Sequence, residues 1–202
     1  MTEVTELRSY PKNAITGVVL SGGPCIRMNG KDKGLLNYED NHLAYGVLSK
    51  LKKMVWEIVV SANQNISNYE DFGVPVIQDT RRDFGPLAGI EAVLERCPTE
   101  YIAIAPCDMP NIPENYVAEL YFGIEETGSD ISYLIWRDSE GNYTREPLLA
   151  LIKTKLLPEL QSYIGQGGKD VLDWYHQHSY VEVSFGTKLN FLDINHPEDL
   201  LG

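Results

Sequence analysis

The stretch ITGVVLSGGPCIRMNGKDKG, residues 15–34, decides how the rest of the chain is read. Its first six residues, 15–20, form a short apolar run that reads as a buried strand, and Gly22-Gly23 end it. A glycine-rich turn at a strand end lets backbone N–H groups approach phosphate oxygens. Arg27, Lys31 and Lys33 then place three cations within seven residues. An Arg forks onto two phosphate oxygens, while a Lys acts as a point charge. Glycines alone are a tight turn, and cations alone are a solvated surface. Their coincidence at the end of one strand points to a bound phosphate. Pro24 has no N–H, so one donor is missing from the turn.

Spacing excludes two familiar phosphate motifs. Gly30-Lys31 is followed by Asp32 and no Gly stands five residues before Gly30, so the G-x-x-x-x-G-K-[ST] loop is absent. The G-x-G-x-x-G dinucleotide pattern is absent as well. Ser21 lacks a G-x-S-x-G elbow, and His42, His176, His178 and His196 stand outside any triad or H-E-x-x-H context. Cys25 reads as a small loop residue before it reads as an activated thiol.

Outward from this loop, apolar runs alternate with amphipathic stretches. Strands are predicted over residues 57–61, 74–77, 101–105, 131–136, 147–152 and 180–185, with a short extended piece at 191–194. Helices are predicted over 42–53, 68–72, 87–96, 113–124, 153–164 and 169–178, with a helical turn at 197–201. The alternation implies an α/β fold with a mostly parallel sheet covered on both faces. A turn at 138–142 between two strands makes the sheet mixed. Ligands of such folds sit beyond the carboxyl ends of the strands. That directs attention to residues 21–33, 61–63, 78–79 and 106–108.

Asp108 follows the central strand in PCDMP. Alone it is a turn residue; facing a phosphate loop it is a natural Mg²⁺ ligand, since Mg²⁺ bridges one or two carboxylates to phosphates. Asp79 ends the third strand, ahead of Arg81, Arg82 and the GPLAG segment, residues 85–89. It reads equally as a turn cap or as a carboxylate that accepts the N1–H and N2–H edge of guanine. Gly85 and Gly89 allow close approach of backbone to a ring. Asp193 and Asn195 alternate in an extended segment and can point the same way, towards a metal or phosphate.

Composition narrows the class. Seventeen basic and 29 acidic residues leave a charge of −12, which argues against a broad nucleic-acid surface or an acidic-membrane surface. No apolar run approaches a membrane span. Three scattered cysteines, Cys25, Cys97 and Cys107, give neither a disulfide framework nor a zinc knuckle and fit a reduced, cytoplasmic setting. Residues 1–202 are expected to form one domain, with 1–13 a flexible extension.

Residues 20–23 (LSGG), Arg27-Met28 and Asp32-Lys33-Gly34 resemble the signature loop of the GT-A-like nucleotidyltransferases. With GPLAG at 85–89, PCDMP at 106–110 and DINHPED at 193–199, the set resembles the molybdenum cofactor guanylyltransferases. The resemblance implies a Rossmann-like three-layer α/β/α fold, as in nucleotide-diphospho-sugar transferases. It implies GTP as donor, molybdopterin as acceptor and Mg²⁺ as cofactor. Leu20, Ser21, Gly22, Gly23, Arg27, Lys33, Ser61, Asp79, Gly85, Gly89 and Asp108 would bind the nucleotide. Lys33 and Asp108 would be catalytic, Asp108 would hold the metal, and Asp193 and Asn195 would lie on the acceptor or metal side. Ser61 stands where some members carry Asn, Asp193 where Asn is commoner, and Asn29 where Gly is usual.

The resemblance also implies small-molecule partners, with molybdoenzymes, their chaperones or other cofactor-synthesis proteins downstream, and a monomer or weak oligomer. Two alternatives stay open. The same fold can use CTP with molybdopterin, or another nucleotide with a phosphorylated sugar or alcohol. A non-enzyme can hold guanine nucleotide or chaperone the cofactor without turnover.

Overall fold

A computed structural model describes residues 8–21, 32–137 and 140–187. The first strand is β1 (Ile15–Leu20), followed by a small hairpin, β2 (Asn37–Tyr38) and β3 (Asn41–His42), and by α1 (Leu43–Leu51). Then come β4 (Glu57–Ser61), α2 (Ile66–Glu70), β5 (Val76–Ile77), α3 (Pro86–Leu94), β6 (Tyr101–Pro106) and α4 (Tyr116–Thr127). The remainder is β7 (Ile131–Arg137), β8 (Tyr143–Lys153), α5 (Leu157–Gly165), α6 (Val171–Tyr175) and β9 (Tyr180–Thr187).

Among the described residues, seven strands form one sheet of order β5-β4-β1-β6-β8-β7-β9. All are parallel except β8, which runs antiparallel to both neighbours. Alternation along each strand divides the core in two. Val19, Val60, Ala103, Ala105, Leu134 and Leu149 pack against α1, α2 and α4. Val18, Val59, Ile102, Ile104 and Tyr133 pack against α3, α5 and α6. This is the expected three-layer α/β/α arrangement. Gly17 lets α1 approach β1: a Cβ there would lie 2.9 Å from Val55 Cγ2 and 3.0 Å from Leu51 Cγ.

The ladder between β7 and β8 shifts partway along. Tyr133 faces Ala150, but Leu134 faces Glu146, so Pro147, Leu148 and Leu149 have no partner on β7. Proline cannot donate to a ladder, and an irregularity is where a strand tolerates it. The pairing of β6 with β8 also ends here, after four pairs from Tyr101↔Lys153 to Ile104↔Ala150. Ala105 and Pro106 therefore have ladder partners on β1 alone. At its carboxyl edge the sheet opens between β6 and β8.

Several elements differ from their predicted bounds. The strand predicted from 147 begins at Tyr143 and runs through the proline. The helix predicted from 113 begins at Tyr116, because Tyr116 N–H bonds Pro113 O in a turn first, and it ends at Gly128 with φ +71°. The helix predicted at 68–72 lies at Ile66–Glu70, started by Asn65 in the left-handed region. Lys153 closes β8 before a short 3₁₀ turn leads into α5. The predicted 169–178 helix shortens to α6, capped by Asp170, which accepts from Asp173 N–H at 2.9 Å. Residues 191–194 and 197–201 fall outside the described residues. Residues 8–13 lie against the body, where Tyr10 donates to Met54 O at 2.7 Å. No helix among the described residues is long and apolar enough to cross a membrane.

Candidate active site

Three parallel strand ends are tied together at the carboxyl edge. Ser21 N–H bonds Ser61 O at 2.8 Å, and Cys107 N–H bonds Leu20 O at 3.1 Å. These bonds hold the segments after β1, β4 and β6 side by side. Ser21 Oγ is buried and has no hydrogen-bond partner among the described residues. Burial pushes the Cys107 thiol up to about 12, and the adjacent Asp108 charge adds to it, so this cysteine is a packed thiol and not a nucleophile.

Lys33 and Asp108 meet across this edge. Lys33 opens a 3₁₀ turn, Lys33–Leu35, capped by Asp32, whose Oδ1 accepts from Gly34 N–H at 3.2 Å. The Lys33 ammonium reaches Asp108 Oδ2 at 2.6 Å, with the side chains 15% and 23% exposed. That exposure leaves both within reach of a ligand. The turn carrying Lys33 is anchored from below. Tyr69 OH donates to Asp32 Oδ1 at 2.6 Å, and Asn65 Nδ2 donates to Asp32 Oδ2 at 3.0 Å. Burial and the Asp32 carboxylate hold the Tyr69 phenol far above its ordinary range, so it remains a donor.

Asp79 sits beyond β5. Its backbone N–H bonds Asn63 Oδ1 at 2.9 Å, and Asn63 Nδ2 donates to Asp79 Oδ2 at 2.7 Å. Ser61 Oγ approaches Oδ1 at 3.4 Å. Burial raises the Asp79 carboxyl above the usual range, although the Asn63 and Ser61 hydrogen bonds oppose it. Gly89 on α3 fits closely here: a Cβ would come within 2.6 Å of Ser61 Oγ and 3.4 Å of Asp79 Oδ1. Gly85 starts α3 at φ +56° and ψ −143°, a conformation that favours glycine, with Pro86 next. Arg81 Nε bonds both oxygens of buried Glu91, at 3.1 and 2.8 Å, fixing the loop between β5 and α3.

Leu20, Ser21, Lys33, Ser61, Asp79, Gly89 and Asp108 are thus brought to one edge by direct contacts, with Gly85 a turn of helix from Gly89. Gly22, Gly23, Arg27, Asp193 and Asn195 lie outside the described residues. Sequence reasoning singled out neither Asp32, Asn65 and Tyr69, nor Asn63 as the partner of Asp79. Asn63 carried a signal, since it alternates with Ser61. The contact of Tyr69 with Asp32 joins residues far apart in the chain and left none.

The arrangement suits phosphate chemistry. Asp108 already attracts a cation, in the form of the Lys33 ammonium. Among the described residues no group of three or more His, Cys, Asp or Glu side chains can hold a metal. One carboxylate plus substrate phosphates and waters is a donor set that fits Mg²⁺. A lysine–carboxylate pair and a second carboxylate stand together at the carboxyl edge of one mostly parallel α/β sheet, an arrangement that suits binding of a nucleotide's phosphates.

Comparison with known proteins agrees and is more specific. Residues 17–180 match the MobA-like NTP transferase domain. A molybdenum cofactor guanylyltransferase from Cupriavidus necator is 37% identical over 190 residues, covering 94% of this chain and 96% of that protein. One from Ralstonia nicotianae is 40% identical, covering 92% and 93%. The crystal structure of molybdopterin-guanine dinucleotide biosynthesis protein A from Archaeoglobus fulgidus is similar at a TM-score of 0.71 and 26% identity, covering 92% and 95%. The chain belongs to the MobA-like NTP transferase family and is a nucleotidyltransferase.

Proposed function

We propose that the protein transfers GMP from GTP to molybdopterin, giving the guanine dinucleotide form of the cofactor and pyrophosphate. The contact between Lys33 Nζ, on the 3₁₀ turn Lys33–Leu35, and Asp108 Oδ2, just past the end of β6, carries this reading. The names of the similar proteins supply the guanine and the pterin.

An oxygen of the acceptor's terminal phosphate forms a bond to the α-phosphorus of GTP. The bond from that phosphorus to the oxygen bridging the β-phosphate breaks, and pyrophosphate leaves with the electron pair. A phosphate monoester is largely ionised at neutral pH, with a second pKa of about 6. The nucleophile therefore needs no strong base, in keeping with the lack of a triad among the described residues. In-line transfer depends on positioning and charge neutralisation. Lys33 supplies a fixed cation for charge moving onto the leaving pyrophosphate. Asp108 would hold Mg²⁺, which when bound neutralises charge on the triphosphate. The backbone at Leu20, Ser21, Gly22 and Gly23, with Arg27, would bind phosphates, while Ser61, Asp79, Gly85 and Gly89 would bind the nucleoside. Asp193 and Asn195 would face the acceptor.

The reading extends to a cytoplasmic enzyme that passes its product to molybdoenzymes or their chaperones; the free thiols of Cys97 and Cys107 support a reducing compartment. The test is a screen of GTP, CTP, ATP and UTP with molybdopterin and Mg²⁺, scoring pyrophosphate and dinucleotide. GTP is expected to exceed the others at least tenfold. Preference for CTP would move the reading to the cytidine form, and no pyrophosphate with any nucleotide would overturn it.

A further inference from the structure

We propose that Asp32 is a positioning residue for Lys33, held in place by Tyr69 and Asn65; this rests on Lys33 acting as proposed above. Asp32 precedes Lys33 directly, and a loose carboxylate there would capture the ammonium itself. Instead both of its oxygens are engaged elsewhere. Oδ1 accepts from Gly34 N–H and Tyr69 OH, and Oδ2 accepts from Asn65 Nδ2. The Lys33 ammonium is left to reach Asp108.

Two further observations support the assignment. Asn65 is the residue before α2, a position where Asn ordinarily caps its own helix. Here it makes no side-chain cap bond and donates to Asp32, from a left-handed backbone at φ 50°. Gly34 also has no room for a side chain: a Cβ would meet the Tyr69 hydroxyl, with Ala44 Cβ and Ser21 Oγ each at 3.2 Å. The turn that aims Lys33 is therefore pressed onto a fully buried tyrosine. A reacting group held by such a packed support keeps its geometry; without one it is loose.

The test uses the full chain with Asp32→Ala, Tyr69→Phe and Asp32→Asn. Each is measured for kcat at saturating GTP and molybdopterin, for GTP Kd by direct titration, and for Tm. Trace acetylation of Lys33, read by mass spectrometry, reports how firmly the ammonium is held and needs no turnover. Asp32→Ala is expected to lower kcat at least thirtyfold and Tyr69→Phe about fivefold, each by more than it weakens GTP binding. Both should raise Lys33 acetylation at least threefold. Asp32→Asn retains an acceptor for Gly34 and Tyr69 and, with the Asn65 amide turned round, a third bond. It should stay within threefold of wild type in kcat and acetylation. Tyr69→Phe keeps the ring packing, so it decides the matter if Asp32→Ala does not fold. Unchanged Lys33 acetylation in Tyr69→Phe and Asp32→Ala would overturn the proposal. So would Asp32→Asn as impaired as Asp32→Ala at normal Tm, because charge and not positioning would then be at work. A wild type that releases no pyrophosphate would sink the functional reading, while acetylation would still decide the role of Asp32.

Discussion

Lys33 and Asp108 are a pair only in three dimensions, 75 positions apart and 2.6 Å from contact to contact. Lys33→Ala is expected to lower kcat about 10²–10³-fold, the range for removing one preorganised transition-state donor, and by more than it weakens GTP binding. Asp108→Asn should fall by two orders of magnitude and lose its Mg²⁺ dependence. Steady-state kinetics with a GTP titration separate these effects. A Lys33→Ala enzyme restored to full kcat by saturating GTP would make Lys33 a binding residue alone. Asp79 is expected to act on the base: Asp79→Ala should raise the KM for GTP and narrow its advantage over ATP. Its carboxyl is raised by burial, so the unfolded chain loses that proton first. Ionisation of Asp79 therefore works against folding: stability is lost as pH rises from the ordinary carboxylate pKa through the raised folded one. Asp79→Asn should match or exceed the wild-type Tm at pH 7, with the gain vanishing near pH 3; a lower Tm at pH 7 would contradict this. Asp79 and Asp108 were legible because each is a carboxylate just past a strand, and Lys33 because it closes a basic, glycine-rich stretch of sequence. Asp32 was quoted in the motif but gave no sign of its task, which depends on Tyr69 reaching it from α2.

At the scale of elements, the strands with strong apolar runs were the most legible. β1 and β4 have the predicted bounds, and β6 extends one residue beyond its own. Short amphipathic pieces moved, since a cap or a turn decides their ends more than periodicity does. β8 was read short because Pro147 looks like a boundary, whereas the irregular ladder at Tyr133/Leu134 accommodates it. The packing of α1 on β1 gives a quantitative check at Gly17. A methyl group there meets Val55 and Leu51, both buried. Replacing Gly by Ala gains at most about 1 kcal/mol from reduced backbone freedom, while overpacking a filled core costs about 1–3 kcal/mol. The second term wins, so Gly17→Ala should lower Tm by several degrees, at roughly 2–4 °C per kcal/mol for a chain of this size. A rise in Tm would show that α1 shifts freely.

For the whole molecule, the alternation of strands and helices announced a mostly parallel, two-faced sheet, and the turn near Gly141 announced a mixed one. The order of strands was not legible, because nothing local records that β8 lies between β6 and β7. That position has a consequence for the chain during its synthesis. Strands β5, β4, β1 and β6 are complete once residue 106 is available, yet β6 keeps an open, apolar edge from Tyr101 to Ile104 until residues 150–153 arrive. The next strand made, β7, does not close that edge in the finished fold. At about 5–20 residues per second the wait lasts on the order of 2–10 s, and an uncovered edge strand is a template for pairing with another chain. Chains stopped after residue 137 are therefore expected in the insoluble fraction. Chains stopped after residue 153 should be markedly more soluble, and equal solubility of the two would show that the edge is shielded some other way. A nascent chain is safest where translation runs through this interval without pausing, which makes the pace of the ribosome over β7 and β8 a determinant of yield.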